Sequence, residues 1–465
     1  MGQLHTVPPA PEVIDYLRYE YRKNWKDLGL TFNQFLTVTG YGNPSHDRQG
    51  MDDGAHLAIR NGEIMLIDIP QVPVTGRLRV MVLLVDFPDR AGAMPKDYYE
   101  DLLFSRGAYP TGSLADYYDE VSRGLVALEG EVHGWLRMPQ NYSYYTNGNS
   151  GLTDKFNREY YPRDARKLAE DAVGAALAQG ILFDRGLDAL GNGTVTALFI
   201  VHAGRGAEKL NPPLRGNHIW SHKWNMKVPQ QVSQDLFAIT YLMVPQEALL
   251  GVCAHELGHL AFQWQDFYDS NDDRDGDYWD GNGIWDLMAS GSYAGNEVRP
   301  VHPAGLHKLQ HGWIEAEEVR ASRANITLAP VTQAAGKVWK IFSPAFGSDR
   351  RYLLLENRAK ERFDAGLPGE GLLVWRIDER AEQEGSAEPG MLLIQADGRN
   401  NLLNPEDRND GDAGDPFPGS SVVTRLDDQG TISTSFPGGP RSGIILENIV
   451  RDQATKEIRF DITFV

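Results

Sequence analysis

The sequence predicts an α+β protein in which an α/β lobe with a mixed sheet precedes a β-rich region. Three observations support this fold class. Apolar runs of strand length alternate with helical segments up to about residue 245, a buried helical segment follows them, and strands and turns dominate beyond Trp313. Alternating strands and helices ahead of such a helix are typical of a sheet that packs over it.

Bulk composition limits the class of protein. A chain of 465 residues is long for one hydrophobic core, so two or three domains, or one domain with additions, are expected. A formal net charge of -19 argues against binding to nucleic acid or anionic membranes, because phosphate groups repel such a surface. The sequence has no run of about 18 apolar residues, which predicts that nothing spans a membrane.

Cysteine usage and the N-terminus carry two further expectations. A single cysteine, Cys253, excludes an intrachain disulfide and is expected to be a small buried core residue. The first residues, Met1 to His5, have neither a basic start nor an apolar core, so no signal peptide is predicted within this sequence. Localisation therefore has to be inferred from other features.

The predicted elements follow the chain in order. Residues 1–76 contain a charged amphipathic segment at 13–26 and a hairpin-like segment at 57–69, and they are interpreted equally well as a pro-region or as an N-terminal lobe. Strands are then predicted at 79–85, 125–132, 194–201 and 237–244, and helices at 114–121 and 163–177. Later strands are predicted at 324–329, 337–342, 351–357, 371–378, 444–449 and 458–464.

The chemistry of the chain is concentrated in His255-Glu-Leu-Gly-His259. Pro245 marks the start of a predicted helix that continues to Leu260, and residues four apart on a helix lie one turn above each other. The two imidazoles are thereby placed to bind one tetrahedral zinc ion, with Glu256 beside them as a general base. A chance match is the alternative, but the helix is apolar nearly all round, and burying these three side chains unpaired would be costly.

Several other blocks in the chain carry a family resemblance. They occur in the order Val82–Pro88, Ser113–Tyr118, Glu120–Ser122, Ile219–Trp224, Trp285–Met288, Leu353–Arg358 and Gly414–Pro418. Together with the zinc motif they resemble the secreted metalloproteases of the immune inhibitor A family, which are metzincin-like. The resemblance covers nearly the whole chain after residue 77. We therefore divide the sequence into an N-terminal segment or pro-region at 1–76, a zinc metalloprotease catalytic domain at 77–315 and a β-rich region at 316–465.

The third zinc ligand is the place where the chain departs from the family pattern, His-Glu-x-x-His-x-x-Gly-x-x-Asp. The glycine is replaced by Phe262, and the aspartate falls one position late, at Asp266, while strict spacing would select Gln265. The missing glycine predicts either an extended helix end or a bulge of one residue. Asp266 is favoured because a carboxylate is a better zinc ligand than an amide, and Asp269 is the alternative.

The resemblance implies roles for residues around the metal. Met288 is expected to pack beneath the histidines as the methionine of a metzincin turn. Glu256 is expected to take the proton of a zinc-bound water, while Tyr293 is a candidate donor to the oxyanion. His222 and His302 are second candidates for that donor, although each is interpreted first as a structural histidine.

Two acidic clusters predict calcium sites, with a solvated loop as the alternative. Like charges placed this densely repel one another unless a cation or water neutralises them. The first cluster comprises Asp269, Asn271, Asp273, Asp275 and Asp277. The second comprises Asp410, Asp412 and Asp415, with Asp397, Asn400 and Asn401 just before it.

The sequence thus predicts a secreted zinc endopeptidase that acts on proteins or peptides, with zinc and calcium as cofactors and a monomer as the favoured state. A catalytically retired binding module on the same fold is the alternative from another class. A zinc hydrolase of some other bond is the third interpretation. The intact His255, Glu256 and His259 favour the peptidase, because binding alone needs no general base.

Overall fold

The computed structural model describes residues 7–39, 56–60, 63–67, 73–152, 158–212, 214–268, 279–379, 390–404 and 409–465. These residues form an N-terminal pair of helices, a central α/β unit and a C-terminal pair of sheets. None of the helices in these ranges is long and apolar enough to cross a membrane.

The described elements have the following bounds. The helices are α1 Pro11–Asn24, α2 Phe32–Thr39, α3 Lys96–Phe104, α4 Leu114–Val121, α5 Tyr142–Thr146, α6 Ala165–Ala178, α7 Leu250–Phe262 and α8 Gly305–Gln310. The strands are β1 His56–Arg60, β2 Glu63–Ile67, β3 Gly76–Asp86, β4 Val126–Arg137, β5 Leu198–His202, β6 His222–Ser233, β7 Leu236–Pro245, β8 Ala316–Val319, β9 Arg323–Leu328, β10 Val338–Ile341, β11 Arg351–Arg358, β12 Gly371–Asp378, β13 Met391–Leu393, β14 Ile444–Arg451 and β15 Ile458–Phe464.

The central sheet has the strand order β4-β3-β5-β7-β6. Its first four strands are parallel, and β6 runs antiparallel to β7 along one edge. Strand β5 is buried at every position, as expected of an apolar strand that is covered on both faces. Helix α7 is buried along its whole length and shares one hydrophobic core with this sheet. The predicted mixed sheet over the central helix is therefore confirmed.

Three predicted boundaries are wrong by four residues or more. The strand predicted at 125–132 continues to Arg137. Pro245 does not begin the central helix, because it ends β7, where it pairs with His202 of β5, and α7 starts only at Leu250. The strand predicted at 194–201 begins at Leu198. Just before it, Thr194 pairs with Phe237 of β7 only as an isolated bridge, while its backbone N–H and its hydroxyl donate to the side-chain oxygen of Asn192.

Two sheets form the region beyond residue 316. The larger has the order β13-β12-β11-β10-β8, and the smaller has the order β14-β15-β9. Apolar side chains such as Leu353 and Phe460 fill the space between them. On the opposite face of the larger sheet, Tyr352 and Trp375 share a core with Trp285 of the central unit. The predicted β-rich region is confirmed, and it packs directly on the central unit.

The N-terminal helices have a small core of their own. Tyr21 of α1 contacts Phe32 and Phe35 of α2, with ring centroids 5.5 and 5.8 Å apart. Arg18 of α1 forms a buried ion pair with Asp280, at 3.3 Å between Nη2 and Oδ2. This pair attaches the helices to the central unit. The domain divisions after residues 76 and 315 stay predictions.

Arg358 joins the β-rich region to the central unit through a buried ion pair. Its guanidinium donates to Asp364 at 2.8 and 2.6 Å, to the Trp285 carbonyl at 2.7 Å and to the His302 carbonyl at 3.2 Å. Burial opposes ionisation of Asp364, but the adjacent Arg358 holds the pKa of that carboxyl below its usual range. One side chain of β11 therefore orders two loops of the central unit.

We expect Arg358→Met to lower the free energy of unfolding by about 3–5 kcal/mol, because Asp364 would keep a buried charge without its partner. Urea unfolding followed by circular dichroism measures the loss. The matched control is Arg185→Met, which breaks the ion pair of Arg185 with Asp235. The two side chains of that pair are 72% and 59% exposed, so its loss should change stability little. Equal losses in the two variants would contradict the role given to Arg358.

Candidate metal centre

The N-terminus of α7 is buried and is held by Glu297. The carboxylate of Glu297 accepts from the Leu249 backbone N–H at 2.7 Å, and its backbone carbonyl accepts from the Gly251 N–H at 2.8 Å. Acceptors are favourable here because the first N–H groups of a helix have no partner within it. Gly251 is required at this point, since a Cβ would lie 1.7 Å from the Ser292 carbonyl oxygen.

Two tyrosines of α4 support α7 and the loop beside it. Tyr118 donates to the Ala254 carbonyl at 2.6 Å, and Tyr117 donates to the Val301 carbonyl at 2.7 Å. Burial raises the pKa of both phenols well above the usual value, so both remain donors at neutral pH. The predicted block that begins at Ser113 thus positions the helix that carries the zinc motif.

The two histidines of the motif point the same nitrogen at each other. His255 Nδ1 lies 2.9 Å from the Leu287 carbonyl, and His259 Nδ1 lies 2.7 Å from the Trp264 carbonyl. A carbonyl can only accept, so each Nδ1 carries the proton and each Nε2 keeps a lone pair. The two Nε2 atoms are 3.1 Å apart. Burial lowers the pKa of His255 to about 4, which keeps it neutral.

Asp266 completes a triangle with these nitrogens. Its Oδ1 lies 3.3 Å from the Nε2 of His255 and 3.3 Å from the Nε2 of His259, and all three side chains are buried. Its Oδ2 accepts from the Tyr268 hydroxyl at 3.2 Å. The structure therefore brings together the three residues predicted as metal ligands. The alternative ligand, Asp269, lies outside the described residues.

The end of α7 explains why the aspartate comes one residue late. The helix continues through Phe262, and Gln263 takes the left-handed conformation with φ of 54°, where the family pattern has a glycine one residue earlier. The Trp264 N–H then bonds to the Gly258 carbonyl at 3.2 Å and closes the helix. Because the left-handed residue and Asp266 are both shifted by one, the distance between them along the chain is unchanged. Of the two predicted alternatives, the structure has the extended helix end.

The predicted methionine turn lies directly under α7. Met288 is fully buried, and its sulfur would be 2.9 Å from a Cβ built on Gly258, so this helix position has no room for a side chain. The turn is held by Asp286, which accepts from the Met288 N–H at 3.2 Å. Burial would raise the pKa of Asp286, but the neighbouring His307 and several hydrogen bonds lower it to about 2.

Glu256 is buried beside the candidate metal ligands and interacts with the N-terminal segment. Its burial, together with the charge of Asp266, raises the pKa of this carboxyl well above the usual value for a glutamate. Lys223 and the backbone N–H of Val7 act in the opposite direction. The immediate surroundings of the predicted general base therefore include a residue from the far N-terminus, which sequence reasoning did not place there.

Residues Val7–Ala10, which we call the strap, are buried, and their backbone is hydrogen-bonded to residues around this site. The Val7 carbonyl accepts from Trp220 Nε1 at 2.9 Å, and the Pro8 carbonyl accepts from the Tyr293 hydroxyl at 2.5 Å. The Ala10 N–H donates to the Glu208 carbonyl at 3.0 Å. The hydroxyl of Tyr293, predicted as an oxyanion donor, is thus hydrogen-bonded to the strap. The only sequence signal for the strap is its pair of prolines.

The second candidate donors have structural partners. His222 Nδ1 lies 2.6 Å from the Trp220 carbonyl, and its Nε2 lies 3.2 Å from the Tyr241 hydroxyl. His302 lies between Glu120, at 2.8 Å, and Lys308, at 2.6 Å. Both histidines therefore have partners within the protein, and neither belongs to the ligand triangle.

The predicted calcium clusters have different outcomes. Residues Asp269, Asn271, Asp273, Asp275 and Asp277 lie outside the described residues. In the second cluster, one carboxylate oxygen from each of Asp397, Asp412 and Asp415 lies within 4.8 Å of the others, and Asp410 is not part of this group. Arg399 lies 3.4 Å from Asp397 and 3.7 Å from Asp412, so a cation of the protein already neutralises part of this charge. A calcium site here stays a prediction.

An α+β domain with two histidines and an aspartate converging at its central helix has the arrangement of a metallopeptidase. The chain belongs to the family described as Immune inhibitor A peptidase M6, catalytic domain, whose sequence profile matches residues 72–318. The predicted family resemblance is therefore confirmed, and membership of this family implies a metal.

Two relatives are similar to the chain. Pre-pro-metalloprotease PrtV of Vibrio cholerae is 31% identical over 261 residues, which covers 47% of this chain and 27% of PrtV. Immune inhibitor A of Bacillus thuringiensis subsp. alesti is 29% identical over 286 residues, which covers 50% of this chain and 40% of that protein. The aligned part is thus less than half of either relative.

Proposed function

We propose that this chain is a secreted zinc endopeptidase that hydrolyses peptide bonds with a zinc-bound water and Glu256 as the general base. The observation that carries the proposal is the convergence of His255 Nε2, His259 Nε2 and Asp266 Oδ1 beside Glu256. Membership of a peptidase family supplies the class of substrate, which is a protein or peptide. Secretion is proposed from the family resemblance alone.

The geometry of the triangle fits zinc. Ligand atoms about 2.0–2.1 Å from a tetrahedral zinc ion lie about 3.3–3.4 Å from one another. The observed separations are 3.1, 3.3 and 3.3 Å. Two nitrogen lone pairs and a carboxylate oxygen repel one another at these distances unless a cation lies between them. Imidazole ligands also favour zinc over calcium or magnesium, which prefer oxygen.

The residues of the chain have separate tasks in hydrolysis. When bound, zinc supplies a water whose pKa is lowered to about 7 and polarises the substrate carbonyl. Glu256 accepts the proton of the attacking water and passes it to the leaving nitrogen. His255 and His259 keep their Nδ1 protons on backbone carbonyls, which leaves each Nε2 lone pair available to hold the metal. Tyr293 is the candidate donor to the oxyanion.

A catalytically inactive binding module on the same fold is the weaker candidate. Binding needs no general base, whereas Glu256 is 0% exposed, where a carboxyl without a chemical task is costly. A zinc hydrolase of some other bond would share the same ligand triangle. Cleavage of unstructured casein that a zinc chelator stops would distinguish the endopeptidase from both.

We further propose that residues 1–76 include a pro-region. The described strap supports this, because it places main chain beside Glu256 and takes up two donors of the cleft, Trp220 and Tyr293. Helix α1 follows the strap directly and is anchored by Arg18 and Asp280. A substrate would have to displace the strap before it reached the base.

We expect Asp266→Ala to reduce the zinc content of the purified protein from about one ion per chain to a small fraction of that, because two histidines alone do not form a closed site. Metal analysis after dialysis measures this content. Asp410→Ala is the control, since Asp410 lies outside the triangle. Unchanged zinc content in Asp266→Ala would remove Asp266 from the ligand set.

We expect Glu256→Ala to lower the rate of peptide hydrolysis by at least about 100-fold while the zinc content stays unchanged, because the general base is lost and the ligands are kept. An internally quenched peptide measures the rate. Glu315→Ala removes a carboxylate that is 77% exposed and should leave the rate unaltered. Activity retained in Glu256→Ala would refute the assignment of the base.

Val7→Asp tests the pro-region. A carboxylate in place of this side chain would put a charge at a fully buried position of the hydrophobic core and expel the strap, so we expect the full chain to hydrolyse the quenched peptide at least about tenfold faster than the wild type. Val38→Asp makes the same change at a position of α2 that is 62% exposed, and it should not activate. If Val7→Asp folds, binds zinc and shows the wild-type rate, the strap does not restrain the enzyme.

A further inference from the structure

Trp220 binds the strap through a hydrogen bond from its indole N–H to the Val7 carbonyl. Its side chain is buried, and an indole N–H can only donate. The backbone of Trp220 is fixed on both sides, since its N–H donates to the Ser150 carbonyl at 3.2 Å and its carbonyl accepts from His222 Nδ1 at 2.6 Å. His222 is in turn held by Tyr241. The donor is therefore oriented by the central unit independently of the strap.

The groups that hold the strap contact its main chain. Trp220 binds the Val7 carbonyl, Tyr293 binds the next carbonyl along the chain, and the Glu208 carbonyl binds the Ala10 N–H. Every peptide has these carbonyls, so the same donors can hold a substrate whatever its side chains are. A buried donor that loses its acceptor is also destabilised, which favours a new carbonyl at this place once the strap has left.

Trp220 acts close to the reacting bond. The Val7 carbonyl is bound by Trp220 and the Pro8 carbonyl by Tyr293, and the Ser292 carbonyl next to Tyr293 packs on Gly251 of α7, the helix that carries Glu256. Glu256 is the base of the proposed reaction, so an extended substrate that replaced the strap would offer Trp220 a carbonyl near the scissile bond.

We propose that Trp220 is a substrate-binding residue whose indole N–H holds a main-chain carbonyl next to the scissile bond, and that the Val7 carbonyl takes this place when the strap is bound. The ligand class is an extended peptide, recognised here by its backbone. The inference rests on the proposed function for the identity of the reaction, but not for the binding of the peptide.

The shared donor has a specific kinetic consequence. Trp220→Phe keeps an aromatic ring and removes the N–H. Binding of the strap and binding of the substrate therefore each lose the same hydrogen bond. In the wild-type background the two losses cancel, and kcat/KM should change by less than about twofold. In the Val7→Asp background, where the strap is displaced, the substrate alone loses the bond, and KM should rise about tenfold while kcat changes by less than about twofold.

The experiment compares Trp220→Phe with Trp224→Phe, a control at a tryptophan that is also buried and lies four residues further along the chain, in β6. Both are made in the full chain, with and without Val7→Asp, and assayed with an internally quenched peptide of ten non-proline residues. Zinc content and circular dichroism are measured for every variant. A tenfold rise of KM that is confined to Trp220→Phe with Val7→Asp supports the proposal. An unchanged KM there, or an equal loss in both backgrounds, overturns it.

A binding measurement separates this inference from the proposed function. The same peptide is titrated into Val7→Asp with Glu256→Ala, with and without Trp220→Phe, and its Kd is followed by fluorescence of the peptide label. A Kd that rises about tenfold supports the role of Trp220 even where no variant hydrolyses the peptide. An unchanged Kd refutes it even where hydrolysis by Val7→Asp is fast.

Discussion

The structure depends on one unfavourable arrangement, in which two imidazole lone pairs and a carboxylate oxygen face one another within 3.3 Å in a buried space. Three acceptors at this distance stabilise nothing by themselves. Their orientation is imposed by two backbone carbonyls, those of Leu287 and Trp264, which take the Nδ1 protons. Whatever fixes these two carbonyls therefore fixes the geometry of the candidate metal centre.

The first of these carbonyls is fixed from the β-rich region. Leu287 belongs to the turn that Asp286 organises, and the preceding Trp285 is bonded at both ends by residues beyond 316. Arg358 donates to its carbonyl at 2.7 Å, and its indole donates to Asp415 at 2.9 Å. The β-rich region thus helps to orient the candidate metal centre without supplying a candidate ligand, in the way that outer-shell hydrogen bonds orient ligands in metal sites.

The parts of the site that are local in sequence were predictable. Helical periodicity places His255, Glu256 and His259 on one side of α7, and the acidic residue after the helix is a natural third ligand. Spacing alone did not predict how the chain leaves the helix. A glycine in the sequence indicates a left-handed residue, whereas a glutamine such as Gln263 does not. Contacts between distant segments, such as the hydrogen bond between the Val7 carbonyl and Trp220, cannot be read from the local sequence.

The composition of the strap bears on the proposed pro-region. Pro8 and Pro9 have no N–H, and their rings fix φ, so the strap enters the cleft already extended and with little conformational entropy to lose. The bonds on either side of Pro8 also have a ring carbon where a typical substrate has an amide hydrogen. The strap has the same backbone carbonyls as a substrate, and Trp220 and Tyr293 bind them. It differs from a typical substrate at the peptide nitrogens, which would be the leaving groups in hydrolysis. Under the proposed function, the strap is bound through the carbonyls of Val7 and Pro8 and resists cleavage through the ring nitrogens of Pro8 and Pro9.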